Sequence, residues 1–218
     1  MSGSPNPAEL PVGKRVEPDV VEVTARMSEV SDWELVAQAR TGNMDAFAAL
    51  VRRYESPLVH FCLRMAGSLE DAQDIAQDSF VRVYRYLDRL RPDAKFSTVL
   101  FGMARNLTLN FLRDSGRRGR GITQSLTRDD ETDQLVTDED HRPDRRARLS
   151  EIESLIERAL GMVTPEHREV LILREIQGMD YESIAKVIQC REGTVKSRIA
   201  RAREQLRLKL SELGGELL

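Results

Sequence analysis

Gly193-Thr194-Val195-Lys196-Ser197-Arg198-Ile199-Ala200-Arg201-Ala202-Arg203 is a short basic run whose apolar residues recur at helical spacing. Val195, Ile199, Ala202 and Leu206 fall on one face, which leaves Lys196, Ser197 and Arg201, with the flanking Thr194 and Arg198, pointing outward. A cationic helix with an apolar back is the shape the major groove of duplex DNA admits. Just upstream, Asp180 caps a helix carrying Tyr181, Ile184, Ala185 and Ile188, and four residues then lead to the basic run. Working further back, Thr164-Pro165 place an N-cap and a first-turn proline ahead of Val170, Leu171 and Leu173. Before those, Ile152, Leu155, Ile156 and Leu160 form an amphipathic stripe, so the segment reads as four helices ending in a helix-turn-helix. The turn Ile188-Gln189-Cys190-Arg191-Glu192 lacks a Gly, Ser or Pro, so the recognition helix is expected to start with a cap about 1 kcal/mol weaker than Ser would give.

The charge distribution agrees with a local nucleic-acid surface. The 218-residue chain has 33 Lys+Arg against 36 Asp+Glu, which argues against an indiscriminate polyanion coat. Arg191 to Lys209 nevertheless holds seven basic residues and two acidic ones, whereas Asp129 to Asp140 holds seven acidic residues and no basic one.

The N-terminal half carries a second set of helices. Residues 1–30 contain Pro5, Pro7, Pro11 and Pro18 without an apolar period and are read as a mobile tail. Ser31 followed by Glu34 is a capping box, and Gly42 closes the short helix it opens. A second helix from Asn43 carries Phe47, Leu50, Val51, Tyr54, Leu58 and Phe61, with Pro57 as an expected kink and Trp33 packed beside it. A third, opened by Ser68, is expected to reach Leu90 with Ala72, Ile75, Ala76, Val83, Leu87 and Leu90 inward. Its opposite face displays Asp74, Gln77, Asp78, Val81 and Arg85 with Tyr84 nearby; for an isolated helix, such a stripe is ordinarily a solvated charged face.

A fourth helix is expected after the Phe96-Ser97-Thr98 turn, from Val99 to Arg118, burying Leu100, Met103, Ala104, Leu107 and Phe111. Asn106, Leu109 and Arg113 lie along its outer stripe. Amide and guanidinium groups there suit base edges and phosphates, while Phe96 is open to two readings, a core aromatic or a platform for an unpaired base. Phe101 is read as core. Residues 119–149 lack apolar periodicity and read as a flexible linker. Its acidic run reads as charge that keeps the linker extended and soluble.

The fold class is therefore all-α: two small helical domains joined by a flexible linker. The expected boundaries are a tail at 1–30, a helical domain at 31–118, a linker at 119–149 and a helix-turn-helix domain at 150–213. Cys62 and Cys190 are isolated, and His60, His141 and His167 are scattered, so no metal or cofactor site is expected. No paired-carboxylate pocket motif or Gly-rich phosphate loop occurs, and an enzyme is not expected. No stretch approaches the roughly 18 apolar residues of a membrane span. No export leader or appended C-terminal module is expected either, and a cytoplasmic, reduced location is. A duplex-binding helix-turn-helix regulator would account for residues 150–213 but leave the third and fourth helices unexplained.

Asp32-Trp33-Glu34-Leu35-Val36, Gly42-Asn43-Met44-Asp45-Ala46-Phe47, Asp71 to Phe80, Phe96 to Leu100 with Ala104-Arg105-Asn106, and Gly193 to Arg203 occur here in one order across two domains. In this the chain resembles an extracytoplasmic-function (group IV), RpoE-like sigma factor of bacterial RNA polymerase. The resemblance implies a sigma factor directing promoter recognition, DNA melting and initiation at a stress- or envelope-responsive regulon. The implied partners are core RNA polymerase through its beta-prime and beta subunits, promoter DNA as duplex and as melted strand, and an anti-sigma factor. No cofactor and no membrane insertion are implied, and the resemblance opens a second reading of the acidic linker, a mimic of nucleic acid inside polymerase.

By that resemblance, Asp74, Gln77, Asp78, Val81, Tyr84 and Arg85 bind core polymerase. Lys95, Phe96, Asn106, Asn110, Arg113 and Arg117 meet the minus-10 element. Arg191, Thr194, Lys196, Ser197, Arg198, Arg201 and Arg203 meet the minus-35 element, with Ser197 and Arg201 as base readers and Lys196, Arg198 and Arg203 as phosphate contacts. The family usually carries Trp where this chain has Val99, which offers little surface for base capture.

Overall fold

The computed structural model describes residues 30–117 and 143–215, and these are helices and connecting turns. The expected tail, the acidic run and the Arg117 side chain lie outside the described residues. Helix α1 (Asp32–Arg40) opens with the expected capping box: the Ser31 amide donates to the Glu34 carboxylate at 3.0 Å, and the Glu34 amide donates to Ser31 Oγ at 3.3 Å. Helix α2 (Met44–Ala66) is capped by the Asn43 side chain and ends at Gly67, whose φ of 83° suits a residue without Cβ. Pro57 lies within it.

Helix α3 (Leu69–Arg85) starts at Ser68 as expected but stops short of Leu90. A 3₁₀ turn at Leu87–Arg89 replaces its last turn. The Arg40 side chain of α1 donates to the carbonyl oxygens of Leu87 and Leu90, occupying acceptors that a continuing helix would use internally. Leu87 and Leu90 still reach the core.

Helix α4 (Phe96–Arg117) begins three residues earlier than the sequence pattern implied, because the Thr98 and Val99 amides already donate to the Lys95 carbonyl. That start turns Phe96 inward. It is 1% exposed and packs against Trp33 and Tyr54, with ring centroids 6.4 and 5.5 Å away. Trp33 Nε1 donates to the Ala94 carbonyl at 3.0 Å, which anchors the loop before α4 to α1.

Helix α5 (Pro143–Met162) begins inside the stretch read as linker. Pro suits a first helical turn, where its missing N–H costs nothing. The apolar stripe predicted on α5 is buried only near its end: Ala159 and Leu160 are in the core, whereas Ile152 and Ile156 are 52% and 42% exposed. Helix α6 (Pro165–Leu171) passes into one π-type turn at Ile172–Ile176, where the Gln177 amide donates to the Ile172 carbonyl. Helices α7 (Tyr181–Ile188) and α8 (Glu192–Gly215) complete the helix-turn-helix. Val195, Ile199 and Ala202 are buried, as their spacing required, and each Val or Ile so buried stabilises the domain by about 1.5–3 kcal/mol.

The two helical units are in contact. Arg168 of α6 is 9% exposed and reaches the end of α2, donating through Nη1 to the Arg64 carbonyl at 3.2 Å. Gln177 Nε2 donates to the Pro57 carbonyl at 3.2 Å, and Arg64 pairs with Glu157 at 2.6 Å. Helix α7 packs along α4.

Candidate partner and nucleic-acid interfaces

Three surfaces carry the residues singled out by sequence. On α3, buried Ala72, Ile75, Ala76, Phe80 and Val83 fix the inward face, so Asp74, Gln77, Asp78, Val81 and Arg85 must project from the other side. All five are exposed there, with Val81 at 40% and Tyr84 at 45%. Tyr84 is held rather than loose: its ring meets Phe47 edge-on at 5.0 Å, and its hydroxyl lies 3.5 Å from the sulfur of Met44, itself 54% exposed. The result is an apolar patch of Met44, Val81 and Tyr84 beside two free carboxylates. Its basic end is an open cleft lined by Arg82, Arg85, Tyr86, Asp88 and Arg89.

On α4, Asn106, Asn110 and Arg113 are exposed along one side, and an Arg113 guanidinium nitrogen donates to the Asn110 side chain. That contact orients the amide before any ligand arrives. Lys95 is exposed in the preceding loop, but Phe96 is not, and its place between Trp33 and Tyr54 corrects the reading of it as a stacking surface. Val99 is only partly buried.

On α8, Arg191, Thr194, Lys196, Ser197, Arg201 and Arg203 are exposed. Arg198 departs from the outward expectation: it is half-buried, 3.6 Å from the Glu169 carboxylate. Arg203 is exposed but pairs with Glu175 at 2.6 Å. The turn before α8 uses Gln189 at φ 55° and ψ 51°, the left-handed conformation that Gly adopts more cheaply. With the chain so turned, the Arg191 carbonyl accepts from the Thr194 and Val195 amides and starts the helix. Asp180 accepts from the Ser183 amide at 2.7 Å and caps α7 as predicted. The Lys95 ammonium and that cap hold the Asp180 carboxyl well below the usual carboxylate range. Tyr181, at the start of α7, presents its ring to Arg174 at 4.8 Å and to Lys196 at 5.6 Å, which draws Lys196 toward the α7 side of the recognition helix.

Sequence periodicity missed Glu169. This carboxylate is 1% exposed and receives Arg105 Nε at 2.7 Å and Arg105 Nη2 at 3.3 Å, with Arg198 at 3.6 Å. The available signal was its register, since Glu169 lies three and four residues before buried Ile172 and Leu173 on the same helical face. Among the described residues no His, Cys, Asp and Glu cluster could hold a metal, and no helix is long and apolar enough to cross a membrane. Cys62 is buried, and burial pushes its thiol up to about 12.

This arrangement matches known proteins in both halves. Residues 50–118 match the family described as Sigma-70 region 2, and residues 153–206 match Sigma-70, region 4. The chain is 35% identical to the RNA polymerase sigma-H factor of Pseudomonas aeruginosa, over 83% of this chain and 94% of that one. It is 32% identical to the ECF RNA polymerase sigma-E factor of Haemophilus influenzae, over 85% and 98% of the two chains. Among solved structures, CnrH bound to the cytosolic domain of CnrY superposes with a TM-score of 0.60 at 28% identity, over 83% of this chain and 97% of that one. The sigma factor RpoE of Bartonella quintana, solved with the anti-sigma factor NepR, shares the fold at 23% identity and a TM-score of 0.59, over 76% and 96%.

The chain belongs to the extracytoplasmic-function sigma factors of the sigma-70 family. As such it is a promoter-recognising initiation factor that works with core RNA polymerase and promoter DNA, and not an enzyme.

Proposed function

We propose a division of labour among the three surfaces. The outer face of α3 docks the chain on core polymerase: the apolar patch of Val81 and Tyr84 supplies central contact area, and Asp74 and Asp78 complement a basic partner surface. Asn106, Asn110 and Arg113 on α4, with Lys95 in the loop before it, hold the opened minus-10 strand. In the minus-35 duplex Ser197 and Arg201 read bases, while Arg191, Thr194, Lys196, Arg198 and Arg203 engage phosphates. DNA opening then draws on binding energy for the separated strand, and nucleotide hydrolysis has no part in it. The protein works in the bacterial cytoplasm, where polymerase is, at a stress- or envelope-responsive regulon under an anti-sigma factor.

The observation that carries this reading is the α3 face, on which exposed Val81 and Tyr84 sit among carboxylates. Val81 at 40%, Tyr84 at 45% and Met44 at 54% exposed put large apolar side chains together on the surface, and such patches mark interaction sites. Titrating labelled protein with purified core polymerase tests it. Joint Asp74→Lys and Asp78→Lys reversal is expected to weaken core binding at least about tenfold, or 1.4 kcal/mol, while leaving duplex binding by α8 unchanged. Equal affinity for core would remove the stripe from the interface.

A further inference from the structure

We infer that Trp33 is a positioning residue for strand capture: its indole N–H fixes the loop that carries Lys95 in the shape that receives the opened minus-10 strand. This rests on the assignment of the Lys95 loop and α4 proposed above. Trp33 and Arg40 lie two helical turns apart and so share one face of α1. From that face they meet the connection between α3 and α4 at both ends. Arg40 donates to the carbonyls of Leu87 and Leu90, and Trp33 Nε1 donates at 3.0 Å to the carbonyl of Ala94, the residue before Lys95. The Trp33 ring also meets Phe96, the first residue of α4, edge-on with centroids 6.4 Å apart. One side chain thus grips the chain on both sides of Lys95, while Lys95 itself stays exposed.

Burial decides which contact orders the loop. The Trp33 bond to Ala94 is partly buried, whereas the Lys95 pair with Asp180 and the Lys186 bond to the Asp93 carbonyl are open to water and contribute little. A donor committed to the backbone of an irregular segment reduces the number of shapes that segment can take. Strand binding gains from this, because every residue that must be ordered on binding costs affinity. Helix α1 carries none of the residues assigned to polymerase or DNA, so changing Trp33 leaves all of those side chains in place. A merely structural Trp33 would alter the unfolding midpoint and leave the preference for opened strand as it was.

The chain contains one Trp, so a tryptophan analogue supplied during synthesis replaces Trp33 alone. The test compares the full chain as wild type, with benzothienylalanine at position 33, and with hydroxytryptophan there. The first analogue puts sulfur where the N–H was in a ring of nearly the same shape, and the second keeps the N–H. Trp33→Phe and Arg113→Ala complete the set. Each form is assembled with purified core polymerase, and fluorescence anisotropy reads binding to a pool of random-sequence fragments carrying an unpaired bubble and to the same pool fully paired, with core alone as the baseline. Circular dichroism and a core titration check folding and docking. The benzothienyl and Phe forms are expected to bind the bubble about five- to tenfold more weakly, the share of ordered loop lost with one hydrogen bond, with affinity for core and for paired fragments unchanged. The hydroxytryptophan form is expected to match wild type. Unchanged bubble affinity in the benzothienyl and Phe forms overturns the positioning role, and so does an equal loss on bubble and paired fragments. A bubble-specific loss in those forms, with none in Arg113→Ala, leaves the positioning role standing and overturns the reading of the α4 face.

Discussion

Arg168 Nη1 lies 3.2 Å from the carbonyl oxygen of Arg64, across the junction between the two helical units. That oxygen belongs to the last turn of α2, where helix carbonyls lack internal partners. The same guanidinium serves the carbonyls of Gly161 and Val163 at the end of α5. One cation thus closes the ends of two helices, and burial lowers its pKa from the ordinary arginine value.

Arg168→Ala leaves those carbonyls buried and unpaired and removes the packing of the side chain. It should destabilise the protein by about 2–4 kcal/mol, read as a lower midpoint in thermal or denaturant unfolding. A change below about 0.5 kcal/mol would show that water satisfies the carbonyls as well as Arg168 does.

Gln189 is the sole non-glycine residue with positive φ among the described residues. A β-carbon is disfavoured in that conformation by about 1–2 kcal/mol, and Gly carries none. Gln189→Gly should therefore raise stability by about 0.5–1 kcal/mol despite the added freedom of the unfolded chain. A loss of stability on chemical denaturation would mean that the Gln side chain contributes more than its backbone costs.

The two roles proposed on α8 separate by sequence dependence. Arg201→Ala should cost about 1–3 kcal/mol on the preferred minus-35 sequence and relax preference at one base position. Lys196→Ala should weaken binding uniformly across sequences and reduce the salt dependence by about one counterion. Quantitative binding to a library of duplexes distinguishes them, and a uniform loss for Arg201→Ala would demote it to a phosphate contact.

Local rules carried most of the fold. The caps at Ser31, Asn43, Ser68 and Asp180, and the buried row of Val195, Ile199 and Ala202, follow from short-range hydrogen bonding and helical spacing. Departures arose where a distant side chain intervened. Arg40 ends α3 early by bonding to Leu87 and Leu90 from another helix, and Trp33 with Tyr54 draws Phe96 inward. The exposed stripe proposed for docking was legible because α3 is strongly two-faced. The Glu169 cluster was not, since its partners lie 64 residues upstream and, through Arg198, in another helix.

Promoter-directed initiation is tested most directly by run-off transcription from a pool of promoter fragments with purified core polymerase, with and without this protein. Transcripts of defined length are expected only when the protein is present, and from a subset of fragments sharing minus-35 and minus-10 elements. No promoter-specific transcript from core that initiates normally with another sigma factor would contradict the assignment.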